Sequence, residues 1–189
     1  TGLTMTPEGR RAALDIMMAS ASRHPDIGHT LLLDAAYSLY ADEPHGWGET
    51  IVETMEDGTP WPENFLITYA VSMSKSHTAY GLRTGALIAI HPDQNITERL
   101  RGIFGVTGRQ TWSAAPRLLQ FTAAELHSNP ETAAAWSDER YRLQGLLVER
   151  RNAFVKACKE LNVPVNPTHD GFFGWLEHED PESITEKCA

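Results

Sequence analysis

Lys75 stands in a run of small and hydroxyl-bearing residues, Ser72-Met73-Ser74-Lys75-Ser76. A lysine amine condenses with an aldehyde to give a Schiff base once its surroundings lower its pKa. Ser72, Ser74 and Ser76 add hydroxyl groups, and Arg83, eight residues after the lysine, adds a planar fork suited to a phosphate. A second set lies upstream, Asp34 followed three residues later by Tyr37. A carboxylate at a strand end can pair with a protonated pyridine nitrogen, and a tyrosine can donate to a phenolate-like oxygen. Taken singly, each set also reads as ordinary structure: a solvated loop lysine among serines, and a helix-capping carboxylate beside a core tyrosine.

The elements that must position these residues are legible in outline. Thr30-Leu31-Leu32-Leu33 is a continuous apolar run ending at Asp34, which reads as a strand buried on both faces, as in a parallel sheet. A polar residue at such an end marks the carboxyl edge of the sheet, where open α/β folds bind ligands. Residues 65–71 read as a second strand and 84–90 as a third, so Lys75 and Arg83 fall in the short polar connection between them. A sheet with helices on both faces is the natural architecture. Thr6-Pro7-Glu8 reads as a helix start, with Ala12, Ala13, Ile16 and Met17 as its apolar stripe. Residues 42–64 carry scattered Gly and Pro and read as a long irregular connection with a helical turn near 50–55. Helices are expected over 114–127 and, from an Asn129 cap with Pro130 in first position, over about thirty residues to Asn162-Val163-Pro164. Trp136, Leu143, Leu147, Arg150, Phe154, Ala157 and Leu161 recur along one side of it. Residues 171–176 read as a strand of a second, smaller layer, followed by a polar stretch.

Composition narrows the function classes. Of 189 residues, 41% are hydrophobic and 22% charged, which suits a packed core. Lys plus Arg number 16 against 25 Asp plus Glu, a formal charge of −9. That balance argues against a nucleic-acid partner, whose affinity comes from clustered Lys and Arg. No apolar stretch approaches the roughly 20 residues that cross a bilayer, so no membrane partner is expected, and the start shows no signal-peptide pattern. Two cysteines, Cys158 and Cys188, make neither a disulfide framework nor a thiolate zinc site. A reducing, cytoplasmic compartment is expected, with Cys158 a core residue. The eight histidines show no paired metal spacing; His178 lies in the acidic turn Glu177-His178-Glu179-Asp180, and His77 lies two residues after Lys75. No metal is expected. No nucleophile elbow or Walker loop is present.

Together, Asp34-x-x-Tyr37, Ser72-x-x-Lys75 and Arg83 resemble the pyridoxal-phosphate (PLP) aminotransferases of fold type I. The likeness continues through Tyr80 and Gly85. Thr111-Trp112-Ser113 and Ser128-Asn129-Pro130-Glu131 with Trp136 are most similar to the aspartate/aromatic branch, and Thr1-Gly2 resembles the tail of that family's Asn-Pro-Thr-Gly motif. The resemblance implies a three-layer α/β/α PLP-binding large domain, here its C-terminal part over 1–140, with a bridging helix and the start of a smaller α+β domain over 141–189. It implies transamination between an amino acid and a 2-oxo acid, with PLP held as a Schiff base by Lys75, which also shuttles the proton. Asp34 would pair with the pyridine nitrogen and Tyr37 with the ring oxygen. Ser72, Ser74 and Arg83 would hold the phosphate. Arg109 would bind a substrate's distal carboxylate in the partner subunit's site, since the family forms homodimers. Ala114 stands where aspartate-type enzymes carry Asn, which opens the substrate to aromatic or other amino acids. The chain lacks the family's N-terminal half and its C-terminal substrate arginine, and is expected to be a partial chain. Two other readings share the scaffold: a β-lyase or decarboxylase, and an aminotransferase-like domain that senses PLP or an amino acid for a transcription regulator.

Overall fold

The computed structural model describes residues 4–166, 171 and 173–188; Thr1-Gly2, His169 and Phe172 lie outside them. Helix α1 runs Pro7–Arg23. It begins as expected: the Thr6 hydroxyl accepts from Gly9 N at 3.2 Å, and Pro7 fills the first turn, where no intrahelical N–H is needed. Its buried face is Arg10, Leu14, Met18 and Ala21, not the expected stripe. Ile16 is 67% exposed. The face is settled by Arg10, which is buried and donates to Thr50 Oγ1 at 3.2 Å, to the Met5 carbonyl at 2.9 Å and to Glu43 Oε2 at 2.6 Å. Those three partners compensate the desolvated guanidinium and draw in the residues that share its side of the helix.

Strand β1 covers His29–Asp34, β2 Phe65–Ser72 and β3 Gly85–Ile90, in the order β1-β2-β3. β1 and β2 are parallel, with Asp34 opposite Ala70, whereas β3 returns antiparallel, with Gly85 opposite Ser72. A further parallel strand needs a crossover helix lying on the sheet. The connection from Ser72 to Gly85 holds only the four-residue helix α3, Met73–Ser76, and one turn, Tyr80–Leu82. Among the described residues β1 is covered on one face: Leu33 is buried and Leu32 is 60% exposed, where the apolar run led to an expectation of burial on both. Leu14, Met18, Ala21, Leu33, Ile51, Phe65 and Ile67 form the core. Ile51 comes from helix α2, Gly46–Glu56, in the segment expected to be mostly irregular. There Thr50 and Thr54 return their hydroxyls to the carbonyls of Gly46 and Thr50 at 2.8 and 2.7 Å, which lets a polar-looking segment bury one face.

Gly85 begins β3 hard against β2. A Cβ there would overlap the Val71 carbonyl oxygen, a backbone atom that cannot step aside. Gly85→Ala is therefore expected to lower unfolding stability by about 1–3 kcal/mol, read as a lower urea midpoint. An unchanged midpoint would show that the two strands do not meet this closely.

Helix α4 spans Gln94–Trp112, capped by Asp93, and α5 Arg117–Ser128. Helix α6 spans Pro130–Glu160, with Asn129 Oδ1 accepting from Glu131 N at 2.9 Å, and runs unbroken through residue 140. Of its expected apolar side, Trp136, Leu143 and Leu147 are half-buried, but Phe154 is 45% and Leu161 74% exposed; Arg140 and Cys158 are its buried residues. β4, Val165–Asn166, pairs antiparallel with β5, Trp175–Leu176. The polar tail forms helix α7, Pro181–Cys188, through Asp180 Oδ1 accepting from Ser183 N at 3.1 Å.

Candidate active site

The site lies where β1 and β2 end side by side. Asp34 is the last residue of β1, and its Oδ1 accepts from Ala36 N at 3.1 Å, which turns the chain sharply out of the sheet. The Ala35 N–H still reaches the Ala70 carbonyl at 2.9 Å, so the turn stays locked to β2. Tyr37 follows, then a single turn, Ser38–Tyr40. On the neighbouring strand Ser72 caps α3, its Oγ accepting from Ser74 N at 3.2 Å. That turn aims Lys75 back across the strand ends: Nζ lies 5.6 Å from the Tyr37 ring centroid and 4.7 Å from that of Tyr80. A cation so placed is held by the ring faces while it remains accessible.

Arg83 sits 4.9 Å above the same Tyr80 ring and donates from NH1 to the Tyr80 carbonyl at 2.9 Å. Its φ is +50°, and that of Thr78 is +51°, left-handed conformations that side-chain-bearing residues adopt at a cost. Two such residues on one loop fold it back so that Tyr80 serves both cations. Tyr37 is backed by Phe173, ring centroids 5.1 Å apart and nearly perpendicular.

Lys75 and Arg83 are thus gathered around Tyr80, and Lys75 lies beside Tyr37 as well. Asp34 and Tyr37 share the lining of a cavity of about 350 Å³ with Arg10, Trp47, Tyr69 and Phe173. Ser72, Ser74, Lys75 and Arg83 lie outside that lining. Arg109 is exposed in the last turn of α4 and makes no ion pair among the described residues. Among those residues no three His, Cys, Asp or Glu side chains gather as they would for a metal ion, and no helix is long and apolar enough to cross a membrane.

Sequence reasoning missed several neighbours of Lys75. Tyr80 entered only as a spacing match, and its ring contacts carried no local signal. His77 Nε2 meets His127 Nε2 at 2.9 Å, His77 Nδ1 meets Ser76 Oγ at 2.8 Å, and the His77 ring stacks on Trp136 at 4.8 Å. This pins the end of α3 to α5 and α6. Burial, with His127 adding to it, holds the His77 pKa below its ordinary value. The folded state therefore binds this proton less readily than the unfolded chain. Stability is full above the unfolded pKa of about 6.5 and falls as pH drops below it. The urea midpoint is expected to drop between pH 7.5 and 5.5, and a His77→Gln chain should drop less. Equal slopes in the two chains would remove His77 from the account.

A mixed sheet with Asp34, Tyr37, Lys75 and Arg83 on the segments at its adjoining strand ends defines an α/β domain. The chain belongs to the aminotransferase class I and II family, whose model matches residues 7–188. It is 27% identical over 161 residues to the aromatic-amino-acid aminotransferase of Paracoccus denitrificans, covering 85% of this chain and 39% of that relative. The structure superposes on an aminotransferase from Anaerococcus prevotii with a TM-score of 0.86 and 29% identity, over 100% of this chain and 44% of the other. It shares the fold of the aromatic-amino-acid aminotransferase of Burkholderia pseudomallei, solved covalently bound to pyridoxal phosphate, at a TM-score of 0.69 and 20% identity over 88% of this chain and 38% of that one. The chain thus spans about two-fifths of the length of the relatives it matches.

Proposed function

We propose that this chain is part of a PLP-dependent aminotransferase that exchanges the amino group of an amino acid for the oxo group of a 2-oxo acid. The observation that carries the reading is Lys75 Nζ resting over the rings of Tyr37 and Tyr80, beside the end of the strand that bears Asp34. The donor set fits PLP: an amine for the aldehyde carbon, a carboxylate (Asp34) for the pyridine nitrogen, a phenol (Tyr37) for the ring oxygen, and Ser72, Ser74 and Arg83 for the phosphate. When bound, PLP supplies an electron sink for the substrate's Cα carbanion and a carrier for the amino group.

This chain's residues do the rest. Asp34 would hold a proton on the ring nitrogen by opposing it with negative charge. Tyr37, backed by Phe173, would donate to the ring oxygen and help orient the ring. Lys75 would hold the aldehyde carbon of PLP and, once its amine is free, would serve as the general base and general acid that moves the substrate's Cα proton. Tyr80 keeps the amine over the site while it waits. Arg109, exposed at the end of α4, is assigned to a substrate's distal carboxylate in the site of a second copy, so the working form is a homodimer. We assign residues 1–140 to the large domain, with α6 bridging to a smaller one over 141–189, and place the protein in the cytoplasm.

The test is chemical. Incubation with PLP, borohydride reduction and peptide mapping should place the pyridoxyl group on Lys75, ahead of Lys156, Lys159 and Lys187. Lys156 is the natural control, its side chain being 78% exposed. Labelling that follows exposure, with Lys156 ahead of Lys75, would overturn the reading.

A further inference from the structure

Tyr40 is buried, and its hydroxyl donates to the main-chain carbonyl of Lys75 at 3.0 Å. The residues on either side of Tyr40 are held from a third element. Arg140 NH1 of α6 donates to the Leu39 carbonyl, and Gln144 Nε2 donates to the Ala41 carbonyl at 2.9 Å. Arg140 is itself buried, with its guanidinium 4.1 Å from the Tyr141 ring centroid. Burying a phenol and a guanidinium is unfavourable unless they are bonded. Here both bonds end on main-chain carbonyls of the segments that carry the site.

Helix α3 is four residues long, too short to be stiff by itself. Its orientation, and with it the height of Lys75, is set by what grips it from outside. The Lys75 carbonyl accepts from Thr78 N at 3.1 Å within its own turn, and from Tyr40 across the site. Tyr40 lies on the same short segment as Asp34 and Tyr37. We propose that Tyr40 is a positioning residue for Lys75: its hydroxyl fixes the lysine's main chain relative to Asp34 and Tyr37, and Arg140 anchors that frame to α6. Burial raises the Tyr40 pKa above its ordinary value, which keeps the hydroxyl a donor well into the alkaline range. The proposal rests on Lys75 being the cofactor lysine, but the contact can be tested without the cofactor.

The experiment compares the chain with its Tyr40→Phe variant, which keeps the ring and removes only the donor. All lysines are reductively methylated with ¹³C and observed by NMR without PLP, the Lys75 signal being assigned from Lys75→Arg. In the parent chain the ring currents of Tyr37 and Tyr80 set the Lys75 signal apart from those of Lys156, Lys159 and Lys187. In Tyr40→Phe it should move toward them while those three stay put. Unmethylated chains then receive PLP and borohydride, and Tyr40→Phe should be labelled at Lys75 roughly tenfold more slowly. An unmoved Lys75 signal overturns the proposal, as does movement of all four signals together, which would mark Tyr40 as general packing. A parent chain never labelled at Lys75 overturns the functional reading instead, and a Lys75-only shift in Tyr40→Phe would still establish the contact.

Discussion

A Lys75→Ala chain is expected to lose all borohydride-trapped PLP at position 75 while its fold survives. The side chain is half-buried and rests on two rings, with no ion pair among the described residues, so its removal strands no partner there and the unfolding free energy should change by less than about 1 kcal/mol. Turnover is affected far more. Lysine is assigned both the covalent hold on the aldehyde and the proton transfer between Cα and C4′, and loss of a general acid–base alone costs on the order of 10²–10⁴-fold. In a chain long enough to turn over, kcat should therefore fall by at least roughly 10⁴-fold. Lys75→Arg is the sharper variant, because it keeps the cation over Tyr80 but cannot condense with an aldehyde. A Lys75→Arg chain that still turned over near the parent rate would end the assignment.

The second large effect is expected at Asp34. Asp34→Asn removes a charge and little else, since the amide oxygen can still accept from Ala36 N and keep the turn after β1. What is lost is the negative charge that Asp34 is assigned to set against the ring nitrogen. A charge-assisted hydrogen bond of this kind contributes about 1.5–3 kcal/mol, so the Kd for PLP, followed by fluorescence titration, should rise roughly 10- to 100-fold. Without that carboxylate the ring nitrogen loses its proton near neutral pH and the electron sink weakens, so kcat should fall further than affinity. Parent-like affinity in Asp34→Asn would mean that the carboxylate faces something other than the cofactor.

The sequence revealed those parts of this fold that local chemistry decides. The caps at Thr6-Pro7 and Asn129-Pro130 place the starts of α1 and α6 because a side-chain acceptor and a missing N–H are properties of adjacent residues. Strands β2 and β3 were legible as apolar runs, and the polar connection between them as the seat of Lys75 and Arg83. The direction of β3 was not, because hydrophobic pattern carries no sign; it follows from the lack of a crossover helix between Ser72 and Gly85. The buried face of α1 was misread because a buried arginine, satisfied by Thr50 and Glu43 from other elements, outweighs the apolar count. In the site, Lys75 Nζ lies 5.6 Å from the Tyr37 ring centroid, a contact between residues far apart in sequence that local pattern does not carry. Tyr40, His127 and Arg140 had no local signature, and His77 showed only its place two residues after Lys75, since the partners that matter lie 35 to 101 residues away.

The outer edge of β3 has a consequence for handling the protein. Gly85–Ile90 carries neither charge nor proline, exposes Leu87 and Ile88 by 50% and 47%, and bonds to β2 alone among the described strands. Edge strands are commonly blunted by lysine, proline or a bulge; Gly85–Ile90 carries neither lysine nor proline, and its outer edge is unpaired among the described residues. What opposes edge-to-edge aggregation is mutual repulsion, from a formal charge of −9 at neutral pH. That barrier vanishes near the isoelectric point of about 5.3, so mild acid should turn a dispersed preparation into a precipitating one before the core unfolds.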